Sequence, residues 1–254
     1  MPDFQHGRLT KAYLNGVDLS RVLNSMSVSG GYDTTDTTTF GQGYQSFMTG
    51  LRQGGEVSFD GRVEAPGSTI LRRAVRDAEG RDDSILNVSM GNDLVGAVGI
   101  GMRGILGTKE FSSAAEDVVQ FSLGFAGNRG VDDTLSLLSG STILTATGNG
   151  TSVDDDAASA ANTQAIGYLH VLEITGGTAP TVVFKIQDSP DNSTWTDLVT
   201  FASAAAANVR TAQRVVVNDP PARWLRAQWT ITGTPTAVRA SVSVARGRPG
   251  EDLS

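Results

Sequence analysis

The 254-residue sequence contains no cysteine and only two histidines, His6 and His170. The first absence excludes disulfides, thiolate metal sites and cysteine nucleophiles. The second leaves too little imidazole for a Ser-His-Asp arrangement or a two-histidine metal site, because the pair is widely separated along the chain. No apolar run approaches the ~20 residues that carry a helix across a bilayer. The start, Met1 to His6, has neither a basic nor an apolar stretch, so the expectation is a chain made soluble, without a cleavable signal and without a membrane partner.

What is abundant is glycine, with 30 residues, and the charged fraction is 19%. That balance suits a folded chain with many turns rather than a disordered or collagen-like one. The net charge is −7. Up to Gly140 there are 12 basic and 17 acidic residues, and beyond it 8 and 10, giving −5 and −2. Such a surface repels phosphate, and no segregated basic patch offsets it, which argues against tight sequence-reading of nucleic acid.

Strand periodicity dominates. From Glu56 to Glu64 apolar Val57, Phe59 and Val63 alternate with charged or hydroxyl side chains, the pattern of a half-buried strand. Val119, Phe121, Leu123 and Phe125 repeat it. Between them lies one helix, opened at Pro66-Gly67-Ser68 with Ser68 as N-cap and closed at Gly80. Its apolar stripe is Ile70, Leu71, Ala74, Val75 and Ala78, opposite Arg72, Arg73, Arg76, Asp77 and Glu79, which predicts a helix lying on a sheet. Ile85 to Met90 reads as a further strand, followed by a turn at Gly91-Asn92-Asp93. Tyr32 to Gly50 is rich in Asp, Thr, Gly and Gln and reads as a long loop, of a length that is functional or disordered.

Near Ser139-Gly140 the composition turns to small residues, which places a domain boundary there: 1–139, then 140–250, with 251–254 as a mobile tail. Strand signals recur at 167–174, 181–187, 195–200, 214–217, 224–232 and 236–244, enough for an antiparallel sandwich.

Motifs with a chemical reading are few. Gly99-Ile100-Gly101-Met102-Arg103-Gly104 matches G-x-G-x-x-G, but the adjoining Ile105 to Glu110 is β-like and the strand-helix alternation of a dinucleotide fold is missing, so a glycine-relieved strand is expected. Asp154-Asp155-Asp156 lacks the spaced ligands and turn glycine of a calcium loop and reads as a solvated turn. Ser189 to Trp195 is a shortened, single version of an Asp-box and reads as a hairpin turn with Trp195 anchoring the returning strand. Trp229 shares its strand face with Leu225, Ala227 and Ile231 and is expected in the core. Trp224 shares its face with Arg226 and Gln228 and is expected partly exposed, open to a stacked sugar or to ordinary packing. No nucleophile and base can be paired, so no catalytic residue, cofactor or metal is assigned.

The order Asp36-Thr37-Thr38-Thr39-Phe40-Gly41, then Phe47-Met48-Thr49-Gly50-Leu51-Arg52-Gln53-Gly54, then the alternating strand to Glu64, resembles the major tail proteins of siphophages over about residues 30 to 80. The segments Ile186 to Trp195 and Arg223 to Ala227 are similar to β-sandwich modules appended to virion proteins. The resemblance implies a mainly β fold: a tail-tube-type sandwich or barrel with one packed helix, then a second all-β, Ig-like or jelly-roll-like sandwich facing outward. It implies a virion protein, made in the host cytoplasm, whose copies form hexameric rings stacked into the tube of a non-contractile tail. The lumen would hold the tape-measure protein and then conduct DNA. On that reading Glu56, Asp60 and Glu64 face the lumen and repel phosphate, with Arg62 diluting the effect. Asp33, Asp36, Thr38, Phe40, Gln42 and Tyr44 belong to a loop that orders on ring-to-ring contact. The alternative is a carbohydrate- or cell-surface-binding virion protein, with a host-surface glycan at Trp224.

Overall fold

The alternation of Val57, Phe59 and Gly61 with Glu56, Ser58, Asp60 and Arg62 becomes a strand whose first set is buried and whose second is solvent-facing or partly so. This chemistry, repeated along the chain, gives a mainly β protein in the computed structural model, which describes residues 9–39, 43–64, 69–90, 93–114, 116–206 and 210–247. The elements up to the helix are β1 (Lys11–Leu14), β2 (Val17–Asp18), β3 (Leu23–Ser29), β4 (Tyr32–Asp36), β5 (Phe47–Arg52), β6 (Glu56–Arg62) and α1 (Ile70–Ala78). Next come β7 (Ser84–Ser89), β8 (Val98–Ser112) and β9 (Gln120–Leu138). The C-terminal part adds β10 (Gly148–Asn149), β11 (Val153–Asp154), β12 (Gln164–Thr175), β13 (Thr181–Ser189), β14 (Thr196–Thr200), β15 (Ala204–Ala205), β16 (Thr211–Val217), β17 (Trp224–Thr232) and β18 (Ala237–Gly247).

A ten-stranded sheet runs β16-β12-β18-β9-β8-β7-β1-β2, with β6 and then β3 joined to β9. A six-stranded sheet of β10, β11, β13, β14, β15 and β17 packs over its C-terminal part. β4 and β5 form a two-stranded ribbon of their own. β9 organises the molecule. One of its edges pairs with β8 almost throughout; the other is divided between β6, opposite Gln120 to Ala126, and β18, opposite Thr134 to Leu138.

Among the described residues two large apolar cores sit on either side of the expected boundary, and a smaller cluster of Ile85, Ile166, Tyr168 and Ala245 lies across it. The first gathers Phe59, Phe121, Leu123 and Phe125 against Leu71, Ala74, Val75 and Ala78 of α1. The second runs from Leu137 and Leu138 through Phe184, Ile186, Leu225 and Trp229 to Val244. Yet β12, β16 and β18 belong to the same hydrogen-bonded sheet as the N-terminal strands, so residue 140 marks a change of core and not a break in the ladder. The strands after residue 140 therefore share a sheet with those before it. The 251–254 tail lies outside the described residues.

The helix buries the stripe expected of it, with Ile70 half-buried, and stops where Gly80 takes φ +75°, a conformation glycine adopts without strain. Thr69 precedes it without a side-chain cap bond, and the Pro66-Gly67-Ser68 opening lies outside the described residues, as do Gly91 and Asn92 of the expected turn. The G-x-G-x-x-G stretch lies within β8. At Gly101 an added Cβ would meet the Tyr168 ring carbons at 2.6 Å, so this glycine exists to let the ring lie against the strand.

Tyr168 is fully buried at that contact, so Gly101→Ala is expected to destabilise by about 1–3 kcal/mol through overpacking. A denaturant midpoint that does not move would show that the ring can step aside.

Candidate functional site

The face of β6 that turns away from the first core belongs to a four-stranded sheet in the order β3-β6-β9-β8, the last strand contributing only its distal half. Register puts Ser25, Asp60, Ser122 and Glu110 in one row and Ser27, Ser58, Gly124 and Thr108 in the next. Ser25 donates to Asp60 at 2.8 Å and the Ser27 and Ser58 hydroxyls are 2.8 Å apart. The face is thus hydroxyl-rich, with Glu56, Asp60 and Glu110 against Arg62 for a local charge of −2 (three acids, one base). Glu56 and Asp60 are exposed on it together, as the alternation required. Glu64 is not among them: β6 ends at Arg62, and Glu64 lines a groove beside α1. Glu110 was missed because a register shift between Leu106 and Thr108 interrupts the period along β8.

The long polar loop is also corrected. Tyr32–Asp36 and Phe47–Arg52 form an antiparallel ribbon, pairing Thr34 with Thr49, Thr35 with Met48 and Asp36 with Phe47. Backbone and hydroxyl bonds between Thr37 and Ser46 extend the ladder toward the tip. Asp33 accepts from Gln53 at 2.9 Å. The Thr38 hydroxyl and backbone N–H both donate to Asp36 and hold its carboxyl below the usual carboxylate range. Tyr44 sits near the tip; Phe40 and Gln42 lie outside the described residues. The ribbon carries Tyr44, Phe47, Met48 and Leu51 at 75%, 60%, 60% and 81% exposure. These side chains are spread over both faces of a two-sided ribbon, so the segment shows no alternation and its composition alone is polar.

The ribbon is rooted at a buried polar node. Arg52 donates to the Val131 carbonyl and to Asp132 at 3.3 Å, on the stretch of β9 that lies between its β6 and β18 partners. Asp132 also accepts from Arg214 at 3.1 Å and from the Tyr168 hydroxyl. Burial, and then the Asp132 charge, push the Tyr168 phenol up, so it stays protonated as a donor. A second buried group joins the N-terminal strands to the C-terminal ones. Tyr13 and Ser139 both donate to Asp93 at 2.8 Å, and the Tyr13 and His170 rings lie 5.9 Å apart. Burial raises the Asp93 carboxyl.

The remaining sequence candidates are occupied by internal partners. Arg223 grips Asp154 through two bonds of 2.6 and 2.7 Å and Arg246 bonds Asp155 at 2.5 Å. Among the described residues no group of three or more His, Asp or Glu is placed to hold a metal ion. Asp191 accepts from the backbone of Ser193 and Thr194, making the turn, with Asn192 at φ +58°. Trp229 is in the core and donates to the Ala146 carbonyl at 2.9 Å. Trp224 is half-buried with the Arg223 guanidinium 5.6 Å above its ring; Arg226 lies 4.1 Å above Trp195. Trp224 and Trp195 thus each carry a cation over one face.

No protein-family model matches the chain, and no curated protein does. Among solved structures, the chain is similar to one from the virion of a native gene transfer agent particle, at 12% identity over 51% of this chain and 98% of that one, with a TM-score of 0.40. It is similar to a chain of the sheath-tube complex of an extracellular contractile injection system, at 17% identity over 51% and 90%, TM-score 0.41. It is also similar to the Dit protein of phage SPP1, described as a hub of the adsorption apparatus, at 13% identity over 94% and 99%, TM-score 0.37. Among the described residues, no helix is long and apolar enough to cross a membrane.

His170 is buried with Nδ1 accepting from the Gly16 N–H at 3.2 Å, and burial lowers its pKa from 6.5 to about 3. Below pH 6.5 the unfolded chain therefore binds a proton that the folded one refuses, and stability falls with pH down to about 3. Between pH 6.5 and 4.5 this one group costs about 2 kcal/mol. Asp93 acts in the opposite sense, its raised carboxyl favouring the fold as pH drops. Chemical denaturation across that range should show a shallower pH dependence for His170→Gln than for the parent; parallel curves would mean that the imidazole protonates in place.

Proposed function

We propose that this chain is a structural subunit of a long-tailed phage, assembling as rings that stack into a tail tube through which the tape-measure protein and then DNA pass. The observation that carries the reading is the four-stranded sheet β3-β6-β9-β8. One face is packed on a core with α1, the other is hydroxyl-rich and mildly acidic, and both of its edges are open among the described residues.

Open edges are ordinarily guarded by charge, proline or a covering element. β3, Leu-Asn-Ser-Met-Ser-Val-Ser, has neither charge nor proline. All the pairings within the four strands are antiparallel, so β3 of one copy laid against the distal half of β8 of the next continues the same alternation. A repeated head-to-tail contact of this kind closes into a ring when its rotation allows. Six copies contribute 6 × 4 strands; at ~4.8 Å between strands the backbone radius is about 18 Å or more once the strands tilt. A bore of that width admits a duplex. Its lining of serines and threonines, with three carboxylates to one guanidinium per copy, would hold DNA phosphates off the wall. Such a conduit needs no catalytic group.

Electron microscopy of the purified protein is expected to show rings or tubes, and a protein that stays monomeric at high concentration would reject the reading. Replacing Glu56, Asp60 and Glu110 together by lysine turns the face from −2 to +4 per copy. Tubes of that variant should retain duplex DNA in a salt-sensitive manner while parental tubes release it; equal retention by both would remove this face from the bore.

A further inference from the structure

We infer that the cleft between the β1–β2 turn and the C-terminal end of β12 binds a phosphate ester, held by the guanidinium groups of Arg21, Arg210 and Arg239. The cleft has a volume of about 440 Å³, within the range of small-molecule sites. Its walls come from both sides of residue 140, with Gly16, Val17 and Ile70 on one side and Leu172, Ile174 and Thr175 on the other.

Three features select this ligand. The first is cationic charge without a matching acid. Arg239 donates through Nε to the Gly140 carbonyl at 3.1 Å and meets the Glu173 carboxylate only at 3.8 Å. Among the described residues Arg21 and Arg210 make no hydrogen bond or ion pair. The acids that share the cleft are engaged locally: Asp18 accepts from the Ser20 N–H at 2.9 Å and Glu173 from the Thr175 hydroxyl at 3.3 Å. Three guanidinium groups against two carboxylates leave +1 here, in a chain whose net charge is −7. The second feature is backbone strain. Arg210 sits at φ +67°, a left-handed conformation that is costly for a residue with a long side chain. Gly16, itself at φ +77°, packs against it so closely that an added Cβ would lie 2.5 Å from the Arg210 carbonyl carbon. The strained residue is thus clamped on the wall of the cleft, where its guanidinium is the group with chemistry to offer. The third feature is the mixed lining. A phosphate monoester brings nearly two charges and three acceptor oxygens, enough to engage three guanidinium forks at once, whereas a carboxylate brings one charge and two oxygens. Val17, Ile70, Leu172 and Ile174 give the organic part of the ester an apolar wall to lie on.

The site lies within one chain and does not depend on rings or tubes, so it stands or falls apart from the proposed function. The full-length protein is titrated against glucose 6-phosphate, with the phosphorus resonance of the ligand as the readout. The parent protein is expected to broaden that resonance, and inorganic phosphate is expected to compete more weakly. Arg210→Gly removes a guanidinium while suiting the left-handed backbone, and Arg21→Ala removes an exposed one; each is expected to weaken binding about tenfold or more. Arg223→Ala, whose side chain pairs with Asp154 on the six-stranded sheet, is expected to bind as the parent does. No broadening by the parent overturns the inference. Equal binding by the parent, Arg210→Gly and Arg21→Ala overturns it as well, by placing the phosphate elsewhere, and so does glucose binding as tightly as its phosphate.

Discussion

A single buried carboxylate, Asp132, sets the arrangement on which the other surfaces depend. It is 5% exposed and is met by two guanidinium groups and a phenol, from β5, β16 and β12. Two of these partners lie beyond residue 140 and one precedes it, so the node ties the exposed ribbon, the long strand and the C-terminal sandwich to one point. A buried acid with several cationic donors contributes little net stability against an apolar replacement of the whole cluster, but loss of the acid alone removes the counter-charge of the buried Arg214, at a cost of about 3–5 kcal/mol. What the cluster supplies is registry. It fills the part of the β9 edge that neither β6 nor β18 covers, and it does so with a side chain, Arg52, that is also the last residue of the ribbon.

Alternation is legible wherever one face of a strand is buried and the other wet. Glu56 to Arg62 and Trp224 to Thr232 were readable for that reason, and so was α1, whose stripe meets the core under Phe59 and Phe121. The C-terminal strands were found but extended further than expected, β12 by three residues at its start, because Gln164, Ala165 and Ile166 are all buried and buried runs carry no period. β1 to β3 were not anticipated. β1 is buried at three of its four positions, and β3 is serine-rich with its alternation carried only by Leu23, Met26 and Val28. Nor can composition reveal that β18 returns to pair with β9, since the small residues near Gly140 mark a turn between cores without saying which sheet the later strands rejoin.

The candidate surfaces divide in the same way. Glu56 and Asp60 could be placed from one strand; Glu110 required the pairing of Ser122 across the ladder, and Glu64 was carried past the strand's end by extrapolating the period. The ribbon's apolar side chains were in plain sight but separated by Thr49 and Gly50, and only the pairing of Asp36 with Phe47 shows that they stand on a projecting arm. Sequence patterns report the environment of a residue along its own strand. Sites made by neighbouring strands appear only when register is known.

The shared sheet constrains what the C-terminal half can do. A module joined by a linker would present its Trp195 and Trp224 surface at any angle, whereas β12, β16 and β18 are hydrogen-bonded into the ladder that contains β9. The Arg226 to Gln187 to Asp197 chain of hydrogen bonds on that surface, at 2.7 to 3.0 Å, is likewise held by β13, β14 and β17 over the second core. Whatever meets that face meets it in a fixed relation to the acidic β3-β6-β9-β8 face, because β9 runs through both sheet regions without interruption. In a symmetric assembly this converts a surface on one chain into a regularly spaced array, and contacts too weak to hold singly then act together, with an effective concentration set by the spacing of the copies rather than by a flexible tether.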